Sequence, residues 1–137
     1  MARAANTEKN IEVTVHKGNG PLQQVLNIGK HELLSDAPAS IGGEDSGPEP
    51  HDLLAAALAA CTALTVTMYA RRKGMRLEDV RARIEHGQKD GAYVFQRHIE
   101  IVGQLDPDER ARLLDIANKC PVHKTLSGTI RIETSAG

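Results

Sequence analysis

Two cysteines, 59 positions apart, are the side chains in this sequence best suited to chemistry. Cys61 falls inside a long uncharged run, where a lone cysteine reads first as a small core residue. Cys120 differs, because it directly precedes Pro121. Proline is favoured at the first position of a helix, so Cys120 becomes the N-cap of a short helix. Free backbone N–H groups and the helix dipole stabilise a thiolate there, and Lys119 and His123 add positive charge nearby. Two cysteines are not a disulfide framework. If they meet, they form a redox dithiol: one thiolate attacks a peroxide and becomes a sulfenic acid, and the other condenses with it.

Metal binding is the rival reading. Cys120-Pro121-Val122-His123 has C-x2-H spacing, and Cys61 and His51 would complete a tetrahedral zinc set. There is no C-x2-C and no H-E-x-x-H, so no metal is assigned. No phosphate loop, dinucleotide fingerprint or nucleophile elbow is present. The run Gly42-Gly43-Glu44-Asp45-Ser46-Gly47 lacks a Lys-Ser/Thr ending and reads as a loop.

These residues need elements to position them. Ile11 to Val15 alternates as a half-buried strand. After a turn at Lys17-Gly18-Asn19-Gly20-Pro21, Leu22 to Ile28 is its partner, and His31 to Leu34 is a third short strand. Turn formers fill Asp36 to Pro50. Leu53 to Ala70 is an 18-residue stretch without a charge. That meets the length of a membrane span, but seven alanines and three threonines make it a buried central helix instead. Asp52 and Arg71-Arg72-Lys73 suit its dipole, and Gly74 suits its C-terminal cap. Val80 to Glu85 and Phe95 to Ile101 alternate around Lys89-Asp90-Gly91 as an antiparallel hairpin. Asp106-Pro107-Asp108-Glu109 is a capping box opening a helix whose apolar face is Leu113, Leu114 and Ala117. A short helix follows from Pro121 to Leu126, and Thr129 to Thr134 is a final strand. The order βββ-α-ββ-α-β, without repeats, predicts a single α+β domain over residues 1–137.

Composition narrows the function. The chain of 137 residues has 17 basic and 18 acidic side chains and only three aromatics, Tyr69, Tyr93 and Phe95. That excludes the basic footprint and stacking platforms of a nucleic-acid binder. Residues 1–10 are polar and lack the apolar core of a secretory signal, so a cytoplasmic protein with reduced thiols is expected. An uncharged helix of 18 residues is about 27 Å long. A domain this small cannot cover it on all sides, so a homodimer is expected.

Residues Gly47-Pro48-Glu49-Pro50-His51-Asp52-Leu53-Leu54-Ala55-Ala56-Ala57-Leu58-Ala59-Ala60-Cys61-Thr62, followed by Cys120-Pro121-Val122-His123, resemble the OsmC/Ohr superfamily. Gly42 to Pro48 and Met68 to Lys73 look most like its YhfA-like branch. The resemblance implies an intertwined homodimer with antiparallel sheets wrapped around central helices. It implies a thiol-dependent peroxidase for organic hydroperoxides, with Cys61 peroxidatic and Cys120 resolving. It implies no cofactor, and a dithiol reductant of the lipoyl type. The family places a Glu ten residues before the first cysteine and an Arg in the first hairpin turn. Here His51, followed by Asp52, holds the first position, and Lys17 stands in the turn. Arg97, on a long strand, and His123 are the other candidates for activating the thiols or binding substrate. A second function fits the same pattern: a non-catalytic dimer that binds a small apolar ligand beside its cysteines.

Overall fold

The structure is a computed structural model and describes residues 11–137; the polar stretch 1–10 lies outside the described residues. Its contacts divide the chain into two compact units after Leu53.

The first unit carries three antiparallel strands, β1 (Val13–Lys17), β2 (Gln24–Ile28) and β3 (His31–Ser35), in the order β1-β2-β3. Val13 pairs with Ile28, and Leu26 with Leu33. The expected half-burial of the first strand does not hold: Val13 is 59% exposed and Val15 57%.

The loop after β3 is organised by Asp36. Its carboxylate accepts the backbone N–H groups of Ala37, Glu44 and Ser46, and the Ser46 hydroxyl at 2.5 Å. Ser46 in turn accepts from Gln23 Nε2 at 2.9 Å. The glycine-rich run therefore holds an internal carboxylate where a phosphate loop would hold a ligand. A Cβ at Gly43 would overlap the carbonyl oxygen of Ala37, which explains that glycine. Helix α1 (Pro50–Arg72) then starts on Glu49, whose Oε1 accepts the amides of His51 and Asp52.

In the second unit, α1 packs against a long hairpin, β4 (Leu77–Lys89) and β5 (Ala92–Gly103). Asp90 and Gly91 both have positive φ, as a two-residue turn matched to strand twist requires. Gly74, with φ of 68°, ends α1, and Met75 N–H reaches back to the Ala70 carbonyl. The core joins Val66 and Ala70 of α1, Val80 and Ile101 of the hairpin, and Leu113 and Ala117 of α2 (Pro107–Ala117). Asp106 caps α2 with the full reciprocal capping box. Arg110 ties α2 to β5 by donating to the carbonyls of Ile101 and Gly103. Helix α3 (Pro121–Ser127) follows.

Two expectations change in this unit. Leu114 is 43% exposed, so the buried face of α2 is Leu113 and Ala117, one turn apart. Residues 129–134 form no strand. A strand exists only when its backbone groups find a paired edge, and this segment pairs with none of the described residues. Its apolar side chains lie open, with Ile132 85% exposed. Helix α1 is long and apolar enough to cross a membrane. In this fold it is a core helix, with Ala55, Leu58, Thr62, Val66 and Ala70 buried along one face.

Candidate functional site

The two cysteines meet because α1 and the start of α3 are packed together. Cys61 lies one turn after Leu58 on α1 and is partly exposed. Its sulfur accepts the backbone N–H of Val122, in the first turn of α3, at 3.4 Å. Cys120 is 0% exposed and is the N-cap of α3. Its sulfur accepts the His123 backbone N–H at 3.3 Å. The two sulfurs therefore accept amides of adjacent residues in one helical turn. Both thiols are free.

Burial pushes the Cys120 thiol up, but four other influences outweigh it. The His123 amide, the Cys61 side chain, the Thr62 hydroxyl and the charge of Arg97 together hold its pKa below the ordinary value of 9.0. The N-cap read from Cys120-Pro121 is thus the observed one, and Arg97 is the cation behind it.

Arg97 reaches this cluster from β5. It faces inward in register with Ile84, in the row Tyr93, Phe95, Arg97, Ile99, Ile101. Its Nη1 donates to Thr62 Oγ1 at 2.8 Å, and its Nη2 donates to Asn118 Oδ1 and His123 Nδ1, each at 2.9 Å. Thr62 is fully buried and donates its own proton to the Leu58 carbonyl at 2.7 Å. Its hydroxyl is 4.0 Å from the Cys120 sulfur, so in the thiol state the shorter carbonyl contact keeps the proton. Three of the five guanidinium donors are used in this way.

Sequence reasoning therefore named Cys61, Cys120, Arg97 and His123, and the fold gathers these four. His51 and Asp52 are placed in the first turn of α1, where Glu49 holds their amides. Lys17 is the last residue of β1. Thr62, Asn118 and the Val122 amide were missed. Only Thr62 carried a signal, as a polar residue beside Cys61 in an apolar run. Among the described residues, no three His, Cys, Asp or Glu side chains converge as a metal site. The zinc set of Cys61, Cys120, His51 and His123 is not assembled.

Beside the cluster lies a cavity of about 610 Å³, lined among others by Leu58, Tyr93, Phe95, Arg97, His123 and Leu126. Its size is that of a small-molecule site. Two of the three aromatic residues of the chain are on its wall. A cavity that mixes apolar and aromatic side chains with a guanidinium and an imidazole can hold a small organic molecule with a polar end.

The family model described as OsmC-like protein matches residues 43–135. No curated protein matches the sequence. Many solved structures share the fold. An OsmC-like protein from Mycoplasma pneumoniae is 21% identical, with a TM-score of 0.73 over 89% of this chain and 90% of that one. An organic hydroperoxide resistance protein from Elizabethkingia anophelis is 23% identical, with a TM-score of 0.67 over 90% and 91%. An organic hydroperoxide resistance protein, OsmC, from Legionella pneumophila is 23% identical, with a TM-score of 0.66 over 90% and 93%.

Proposed function

The chain belongs to the OsmC-like protein family, and we propose that it is a cytoplasmic thiol peroxidase that reduces organic hydroperoxides through Cys61 and Cys120. The observation that carries the reading is that Cys61 and Cys120 both accept amides of the first turn of α3, from Val122 at 3.4 Å and His123 at 3.3 Å. Solved neighbours named for organic hydroperoxide resistance support the same substrate class.

Access supports an order of attack with Cys61 first. Cys120 is fully buried, whereas Cys61 is partly exposed and is the sulfur a bulky peroxide can approach. Cys61 thiolate takes the terminal peroxide oxygen, and the alcohol leaves. Cys120, favoured as thiolate, then attacks the Cys61 sulfenic sulfur. An S–S bond forms and hydroxide departs, taking up a proton to become water. A dithiol reductant, of the lipoyl type in the resemblance above, returns both thiols. Its thiolate displaces Cys120, whose lowered pKa makes it the better leaving group.

A homodimer fits the surface of the chain. Leu54, Leu64 and Met68 are 43%, 62% and 58% exposed, and with Ala57 and Cys61 they make a three-four stripe along α1. A second copy covers the Leu64 and Met68 end of that stripe in this reading and leaves Cys61 open.

One equivalent of cumene hydroperoxide should remove two thiols from reduced wild-type protein and leave an internal disulfide. Cys120→Ser should stop at a sulfenic acid that dimedone traps. Equally slow reaction of wild type and Cys61→Ser rejects the proposal. The cavity favours one other reading, a non-catalytic binder of a small apolar molecule. Native mass spectrometry of freshly purified protein separates the two: a retained ligand with inert thiols supports the binder.

A further inference from the structure

The contact between Arg97 and His123 fixes the proton of the histidine. A guanidinium carries only donors, so at 2.9 Å from Arg97 Nη2 the Nδ1 atom of His123 must accept. An accepting Nδ1 has no proton, which leaves a neutral imidazole with its proton on Nε2. Arg97 is held in turn by Thr62 and Asn118, so the tautomer is a product of the fold. Nε2 lies on the far edge of the ring and has no hydrogen-bond partner among the described residues. The half-buried His123 ring lines the cavity, while its backbone amide holds the Cys120 sulfur. One residue thus touches the Cys120 sulfur through its main chain and the cavity through its side chain, one position after the amide that holds Cys61.

We infer that His123 Nε2–H is the hydrogen-bond donor to the oxygen that leaves when a hydroperoxide in this cavity is reduced, an assignment that rests on the peroxidase reading above. The electron pair of the Cys61 thiolate forms the S–O bond as the O–O bond breaks. The sulfur is oxidised by two electrons and the peroxide is reduced. Negative charge collects on the alkoxide oxygen, where a preorganised neutral donor is most effective. The alkoxide then takes a proton from solvent, matching the one that Cys61 released on ionising, and leaves as the alcohol.

The test compares two oxidants in single-turnover oxidation of reduced protein. Cumene hydroperoxide expels a basic alkoxide, whereas peracetic acid expels acetate, which needs little help. His123→Phe keeps an aromatic ring without the donor. It should slow oxidation by cumene hydroperoxide about 100-fold and by peracetic acid less than about five-fold. Equal slowing with both oxidants, or none with either, overturns the assignment while leaving the peroxidase reading intact. Wild type that reacts with neither oxidant overturns both. The 15N spectrum of the reduced wild-type protein gives a readout independent of activity and of the variant's folding. A bare Nδ1 and a protonated Nε2 are expected at His123, and a protonated Nδ1 overturns the assignment.

Discussion

The sulfur of Cys61 accepts the Val122 backbone N–H at 3.4 Å, so the first thiol is bound to the same helical turn that the second thiol caps. Among the described residues, no acidic side chain bonds to either sulfur. Both sulfurs accept main-chain amides, and the charge of Arg97 acts on Cys120 from across the unit. One sulfur is partly exposed, and the other is buried with its pKa lowered.

Arg97 should set the acidity of Cys120. In a Cys61→Ser background, Arg97→Gln removes the charge and the bond to Thr62. The pH midpoint of the ultraviolet absorbance of the Cys120 thiolate should then rise toward 9.0, with less thiolate at neutral pH. An unchanged midpoint would show that the guanidinium does not act on the thiol.

Cys120 should also make stability depend on pH. Its folded pKa lies below the ordinary value of 9.0. The contribution is fully present above the unfolded value and is lost as pH falls through the lowered folded one. Urea midpoints of reduced wild type should therefore gain on those of Cys120→Ser as pH rises between the two values. Parallel curves would contradict this.

Asp36 has the same sign at lower pH. Hydrogen bonds from Ser46 and Ala37, chiefly, lower its pKa from 3.8 to about 2. Its contribution is present above 3.8 and is lost as pH falls through about 2. Asp36→Asn should remove that dependence and speed hydrogen exchange at the Ala37, Glu44 and Ser46 amides. Protection unchanged by the substitution would show that the loop is held by other contacts.

The core and the exposed face of α1 should respond differently to substitution. Leu113 is 0% exposed, so Leu113→Ala should cost about 2–5 kcal/mol in chemical unfolding. Leu64 is 62% exposed in the single chain, where a lysine would be nearly neutral. If a second copy covers this face, Leu64→Lys should convert a dimer to monomer in sedimentation velocity. A wild-type monomer at micromolar concentration would remove the dimer.

Much of this protein was legible in local patterns. The Asp106 capping box, the Asp90-Gly91 turn, the Gly74 cap and the Cys120-Pro121 N-cap each depend on a few neighbouring residues, and each formed as read. The hairpin alternation even placed Arg97 in an inward row, a cation where an apolar residue was due. What Arg97 does there was not legible, because its partners Thr62, Asn118 and His123 come from three other segments. The segment 129–134 shows the converse: alternation marks a strand, but pairing depends on an edge that no local pattern supplies. Sequence alone determined the elements, their caps and the identity of the two thiols, because those rest on backbone sterics and short-range hydrogen bonds. Only the tertiary structure decided that Cys61 is reachable while Cys120 is buried and activated. That follows from packing α1, β5 and α3 together, which places an amide and a guanidinium around sulfurs 59 residues apart in the chain.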